Sequence, residues 1–217
     1  MDKQKLRDLQ RSYDKLAQEY VERIYDELRH KPLDRYLLTS FAARAGSLGP
    51  ICDVGCGPGH VARFLGECGA PVCGVDLSPG MIEQARRLNP GIEFSVSNML
   101  VLDVEDEAWG GIAAFYSIIH IPREEVVAAV GELQRVLKPG GFLLLAFHIG
   151  NEIHHFDELW GRNVTLDFIF FQSEEMEGYL RSAGFEIEEI IVRAPYEKVE
   201  VATHRAYILA RNGRLAG

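Results

Sequence analysis

No stretch of this sequence stays apolar for long. The longest runs, such as Phe142 to Phe147, fall far short of the ~20 residues that span a bilayer. The amino terminus, Met1-Asp2-Lys3-Gln4-Lys5, leads into a charged amphipathic stretch and resembles no secretory leader. Cysteine is scarce: Cys52, Cys56, Cys68 and Cys73 fit no zinc spacing and read as small buried hydrophobes in a reducing compartment, where a disulfide framework is not expected. Positive charge is in deficit. The 23 Lys and Arg against 32 Asp and Glu give a formal net charge of -9, which argues against a broad nucleic-acid surface. Internal repeats and low-complexity tracts are also missing. These absences predict a soluble cytoplasmic protein that binds neither nucleic acid nor membrane; they leave its oligomeric state open.

What is present suits one domain with a small appendage: 217 residues, 47% of them hydrophobic and 25% charged. Leu6, Leu9, Tyr13, Leu16, Ala17, Tyr20, Ile24 and Leu28 recur at three- and four-residue steps, which predicts a helix over 3–30. Pro32 opens a second, to about Ala45. Residues 1–48 are thus expected to form a helical segment able to lie over a site as a lid.

From Ile51 strands and helices alternate. Strands are expected at 51–54, 72–75, 92–96, 112–117, 142–147, 185–192 and 203–210, with helices at 59–68, 79–88, from Pro122 to about Leu137, and from a Ser173 cap to Gly184. This rhythm predicts an α/β domain over 49–217, doubly wound around a largely parallel sheet. The last two strands, with no helix between them, must pair antiparallel. Residues 150–172 break the rhythm and read as an irregular insert rich in His and aromatics.

The chemistry centres on Asp53-Val54-Gly55-Cys56-Gly57-Pro58-Gly59-His60, a glycine loop between the first strand and helix. Glycines there let the backbone turn sharply and pass close to a ligand. The loop alone does not say which ligand. Asp53 would repel the pyrophosphate of a dinucleotide but suits the amino group of a cationic, phosphate-free cofactor, directly or through water. His60 stands where a dinucleotide fingerprint wants a small residue. Asp76, ending the second strand, is placed to accept from ribose hydroxyls of either ligand.

Three motifs, Asp53-Val-Gly-Cys-Gly-Pro-Gly59, Gly74-Val-Asp76-Leu-Ser-Pro-Gly-Met81 and Leu137-Lys-Pro-Gly-Gly-Phe142, together resemble the class I S-adenosylmethionine-dependent methyltransferases of small-molecule type. The resemblance implies a Rossmann-like seven-stranded sheet, with strand 7 antiparallel between strands 5 and 6. It implies S-adenosylmethionine as cofactor and methyl transfer to a small-molecule acceptor by direct displacement. It places Asp53, Gly55 and Gly57 around the methionine part, Asp76 on the ribose, and Leu77 and Met81 beside the adenine. Near the adenine amino group the family often has an acidic residue; here Ser97-Asn98-Met99 stands, with the Asn98 amide oxygen as substitute and Met99 beside it. Tyr116 and Ser117 would face the methionine and the methyl group. The Tyr13–Tyr20 helix also resembles one from which a tyrosine closes over the cofactor, and the two tyrosines share a face.

Catalysis by alignment needs little else, although an acidic nucleophile would also need a base. His120, after strand 4, is the candidate. His148, His154, His155 and Trp160, with Phe156, Phe168, Phe170 and Phe171, are expected to wall an acceptor pocket. The His and carboxylate spacing there, with Glu152, Asp157 and Glu158, matches no established metal pattern, and no metal is assigned. Other readings remain open at this point: a nicotinamide-dependent oxidoreductase, a partner or sensor protein that holds the cofactor without turnover, and a methyltransferase acting on protein.

Overall fold

The computed structural model describes residues 1–214. The amino-terminal pattern forms α1 (Lys3–Ile24) and α2 (Pro32–Ala45), joined through a 3-10 turn at Glu27–His30. The expected single helix over 3–30 therefore stops at Ile24. Asp2 starts α1 by accepting from the N–H groups of Gln4 and Lys5 at 2.8 and 2.9 Å. Among the described residues no helix is long and apolar enough to cross a membrane.

The alternation follows as β1 (Ile51–Val54), α3 (His60–Glu67), β2 (Val72–Asp76), α4 (Pro79–Leu88), β3 (Glu93–Val96), β4 (Trp109–Phe115), α5 (Arg123–Val136) and β5 (Leu137–His148). Ser78 caps α4, its Oγ accepting from Met81 N at 3.1 Å. β4 and β5 both begin earlier than expected. They pair from Trp109 and Leu137 through a register shift, so the glycines that read as turn signals instead sit in a bulged ladder.

The main correction concerns residues 150–172. These form an antiparallel hairpin, β6 (Ile153–Leu159) and β7 (Arg162–Ile169), separate from the main sheet. Its turn is Trp160-Gly161, with φ of 53° and 80°. Positive φ at both central positions is the tight hairpin turn usually written Asn-Gly, and a tryptophan in the first place hid it. The chain then runs through α6 (Ser173–Ser182), β8 (Phe185–Arg193) and β9 (Arg205–Asn212). Ser173 is the first helical residue and not the cap; Gln172 precedes it in an extended conformation.

The seven strands are ordered β3-β2-β1-β4-β5-β9-β8, and β9 runs antiparallel to both β5 and β8. Both faces of the sheet are covered, and side chains alternate between them. Ile112, Ala114, Leu143, Leu145 and Ile208 pack with Val130 and Leu133 of α5 and Met176 and Leu180 of α6. Ala113, Leu144, Ala146 and Tyr207 face the other way, onto Phe41 of α2 and Val61 and Leu65 of α3. Strand order reverses between β1 and β4, where such sheets open a crevice beyond the carboxyl ends of their strands.

Candidate functional site

The glycine loop lies at that crevice, with positive φ at Gly55 (75°), Gly57 (52°) and Gly59 (83°). Its glycines serve different ends. A Cβ on Gly55 would come within 2.3 Å of the Ser117 Cβ, so this glycine lets β1 and β4 close together. A Cβ on Gly57 would meet nothing within 4 Å, on a loop that lines a cavity of about 680 Å3. Ser117 itself donates to Val54 O at 2.8 Å and holds the two strand ends in register.

Asp76 is on the cavity wall. Its Oδ2 accepts from Gly57 N and its Oδ1 from Ser78 N, both at 2.8 Å. Burial pushes its carboxyl up to about 6 against those two bonds. Asp53 is not on the wall. It is 1% exposed behind the loop, and its Oδ2 accepts from Ala62 N at 3.0 Å in the first turn of α3. The expected contact with a ligand is therefore corrected: β1 points this side chain under the helix. One consequence bears on the ligand, because a first-turn N–H that would serve a phosphate is already engaged by Asp53.

Leu77, Met81, Asn98 and Met99 line the end of the cavity beyond Asp76. The Asn98 amide oxygen accepts from Leu100 N at 3.0 Å, which fixes the side chain in a local turn and leaves its NH2 and one oxygen lone pair for a ligand.

Tyr13, Tyr20, His120 and Trp160 meet over the mouth. Tyr13 and Tyr20 stand edge to face at 5.6 Å, and Tyr20 packs on Trp160 at 5.1 Å. His120 Nδ1 lies 3.1 Å from the backbone oxygen of Asp167, and its Nε2 lies 2.6 Å from Tyr13 Oη. A carbonyl can only accept, so Nδ1 carries the proton and Nε2 accepts from the tyrosine hydroxyl. Burial pulls His120 down to about 4 and raises the Tyr13 phenol well above its ordinary value. The pair is thus neutral at physiological pH. It joins α1, the end of β4 and the hairpin. α1 is tied down further: Asp14 Oδ1 accepts from Ser78 Oγ at 2.6 Å and Gly80 N at 2.9 Å, and Ser12 exchanges hydrogen bonds with the Thr165 backbone.

Beyond β4 and β5 the wall is aromatic. Tyr116, held at φ 55°, tilts against His148 at 5.0 Å; His148 stacks on Phe170, and His154 leans on the same ring. His148 Nδ1 bonds Thr203 Oγ1 at 2.8 Å. His155 does not belong to this wall. Strand alternation turns it outward, where it pairs with Asp167 at 2.7 Å and Asp157 at 3.2 Å.

A buried ionic cluster at the same end was not anticipated from the sequence. Lys31 Nζ lies 2.7 Å from Glu27 and 3.4 Å from Glu200. Arg193 binds both oxygens of Glu200 at 2.6 and 2.9 Å and Asp34 at 3.0 Å, and Arg205 approaches Glu200 at 3.3 Å. Glu27 also faces His60 Nε2 at 3.3 Å. Glu27, Lys31, His60, Glu200 and Arg205 all line the cavity. One signal was available for Arg205. An antiparallel strand starts at the edge where its parallel neighbours end, so its first residue belongs to the site.

Residues 51–141 match a family model described as a methyltransferase domain. A malonyl-[acyl-carrier protein] O-methyltransferase of Serratia marcescens is 28% identical over 110 residues, covering 51% of this chain and 42% of that protein. A 2-methyl-6-phytyl-1,4-hydroquinone methyltransferase of Synechocystis is 34% identical over 100 residues, covering 44% and 31%. A demethylmenaquinone methyltransferase of Chlorobaculum parvum is 35% identical over 92 residues, covering 42% and 37%. The chain spans less than half the length of each of these three curated relatives. Among solved structures, the DhpI–SAH complex superposes with a TM-score of 0.73 at 19% identity, covering 98% of this chain and 99% of that one. An S-adenosylmethionine-dependent methyltransferase of Methanosarcina mazei gives 0.68 at 20%, covering 75% and 92%. Both likenesses are of fold.

Proposed function

We propose that the chain is a class I S-adenosylmethionine-dependent methyltransferase, and that it transfers a methyl group from S-adenosylmethionine to a small molecule held in the cavity at the sheet's switch point. The observation that carries this reading is the wall made by Gly57 and Asp76. A backbone with open space where a Cβ would stand adjoins a carboxylate fixed by two N–H groups. Asp76 would hold the ribose hydroxyls, Leu77, Met81 and Met99 the adenine faces, and the Asn98 NH2 a ring nitrogen. When bound, the cofactor supplies a methyl group already activated on a sulfonium sulfur. The relatives named for quinone acceptors support a small-molecule acceptor.

In this reading residues 1–48 close the site while the domain from residue 49 onward builds it. Tyr13 and Tyr20 cover the cofactor, and Trp160 with the Phe156 and Phe168 rings keeps water from the reacting atoms. Tyr116 and His148 border the acceptor. His120 has its basic nitrogen occupied by Tyr13, so any proton it takes from the acceptor passes by way of the tyrosine hydroxyl. Otherwise it positions that hydroxyl.

Isothermal titration with S-adenosylhomocysteine tests the proposal: no binding at millimolar concentration would sink it. Asp76→Ala should weaken that binding by roughly 10–100-fold, the worth of one or two charge-assisted hydrogen bonds. A second expectation concerns pH. With His120 held near 4 it is neutral from about pH 5 upward, so kcat/KM should show no inflection from it between pH 6 and 8. An acid limb near pH 6.5 that disappears in His120→Asn would contradict this assignment.

A further inference from the structure

The ionic cluster beside the aromatic wall carries no net charge. Lys31, Arg193 and Arg205 stand 2.7, 3.0 and 3.3 Å from Glu27, Asp34 and Glu200. An ion brought against it would shed its hydration and find no unmatched partner. Polar groups on the surrounding walls are mostly taken. His120 Nε2 is held by Tyr13 Oη at 2.6 Å, and Tyr116 Oη is turned toward Tyr207 Oη at 3.5 Å. His148 differs from these. It ends β5, is half-buried and lines the cavity. Tyr116 at 5.0 Å and Phe170 at 5.1 Å fix the plane of its ring, and Thr203 Oγ1 holds Nδ1 at 2.8 Å. Its Nε2 has no partner among the described residues and, unlike the Arg205 Nε, is not buried away from the cavity.

What fits Nε2 follows from the imidazole. Burial pulls the ring down to about 4, so it is neutral and offers a charged group no counter-ion. If Nδ1 donates to Thr203, Nε2 accepts; if Thr203 donates to Nδ1, Nε2 carries the proton and donates. A hydroxyl answers both arrangements, whereas a carboxylate only accepts and an ammonium only donates. We propose that His148 Nε2 holds a hydroxyl of the methyl acceptor, which is therefore an uncharged hydroxyl compound whose apolar body lies against the rings of Tyr116, Phe168 and Phe170. This deepens the methyltransferase reading and rests on it. Position sets the hydroxyl apart from the cofactor loop: β5 is two strands from β1, about 10 Å at the usual strand spacing, with the end of β4 and Tyr116 between them.

The test uses the full chain saturated with S-adenosylhomocysteine and four probes that share one ring and one substituent carbon: benzyl alcohol, toluene, benzoate and benzylamine. Each is titrated by calorimetry near neutral pH. Benzyl alcohol should bind about tenfold tighter than toluene, the worth of one hydrogen bond to a polar group otherwise left bare. Benzoate and benzylamine, both ionised, should bind at least tenfold more weakly than the alcohol. His148→Phe keeps a ring between Tyr116 and Phe170 and removes both nitrogens, so it should erase the preference for alcohol over toluene. His148→Gln keeps a polar tip and should retain part of it. S-adenosylhomocysteine affinity should stay within twofold in both variants, which also reports that they fold. Toluene, benzoate or benzylamine binding as tightly as the alcohol overturns the proposal. So does an absence of alcohol binding to cofactor-loaded protein, or an alcohol preference that survives in folded His148→Phe. A tenfold loss of S-adenosylhomocysteine affinity in folded His148→Phe also overturns it and assigns the ring to the cofactor. Failure of the wild-type chain to bind S-adenosylhomocysteine is a separate result, and it strikes the methyltransferase reading.

Discussion

Replacing Gly55 with alanine should cost the protein both its stability and its cofactor. Gly55 sits at φ 75°, where an L side chain is worse by about 1–2 kcal/mol. The new methyl would fall 2.3 Å from the Ser117 Cβ and 3.0 Å from its Oγ. Ser117 is buried and bonded to Val54 O, so it cannot swing aside without breaking the joint between β1 and β4. Overpacking of this kind adds about 1–3 kcal/mol. Together these should lower Tm by roughly 10 °C in a domain of this size, with no detectable S-adenosylhomocysteine binding. Gly57→Ala is the control. Its Cβ meets no protein atom, so Tm should fall by only a few degrees while cofactor affinity drops sharply. A Gly55→Ala variant as stable as the Gly57→Ala variant would show that the contact with Ser117 does not constrain the loop.

Asp53→Asn should stabilise the unliganded protein, increasingly so from pH 4 to 7 and then by a constant amount. Burial raises the Asp53 carboxyl from its ordinary 3.8 to about 7. The folded state therefore holds a proton that the unfolded state releases, and stability is lost as pH rises through that interval. At pH 8 keeping the group ionised costs up to about 4 kcal/mol. Asparagine keeps an oxygen for Ala62 N and carries no charge. His120 and His148, both pulled to about 4 by burial, act with the opposite sign: the unfolded state binds the extra protons between pH 4 and 6.5, so their contribution grows with pH. In the wild type the two effects offset one another, and removing Asp53 should tilt the curve upward with pH. Thermal unfolding of both proteins from pH 4 to 8 measures this, and a Tm difference independent of pH would refute it.

The parallel core was legible because each link announced itself. Gly-Pro pairs, Ser78-Pro79 and Lys138-Pro139-Gly140-Gly141 punctuate strands too apolar to be anything but buried. The wall of the cavity followed from the same pattern, since the chain carries Asp76, Asn98 and Tyr116 at or just beyond strand ends. Two things stayed hidden. Whether a strand-end carboxylate faces the crevice or the helix beneath it depends on the pleat, and Asp53 falls on the covered side. The ionic cluster joins Lys31 to Arg205 across 174 positions, and no local period signals a charge that only tertiary structure buries. The hairpin was obscured by its own turn, because Trp160 takes a conformation that the composition of the segment argues against.

That hairpin lies outside residues 51–141, the span that matches the methyltransferase domain. It hangs between β5 and α6 without adding a strand to the main sheet, so a different hairpin could be grafted there with the sheet order unchanged. The graft would have to bring a passenger. Ser12, Lys15 and Glu19 of α1 are bonded to Thr165, Asn163 and Arg162 of β7, segments nearly 150 residues apart in the chain. The two pieces form one structural unit, and a change in either end of these bonds must be matched by a change in the other.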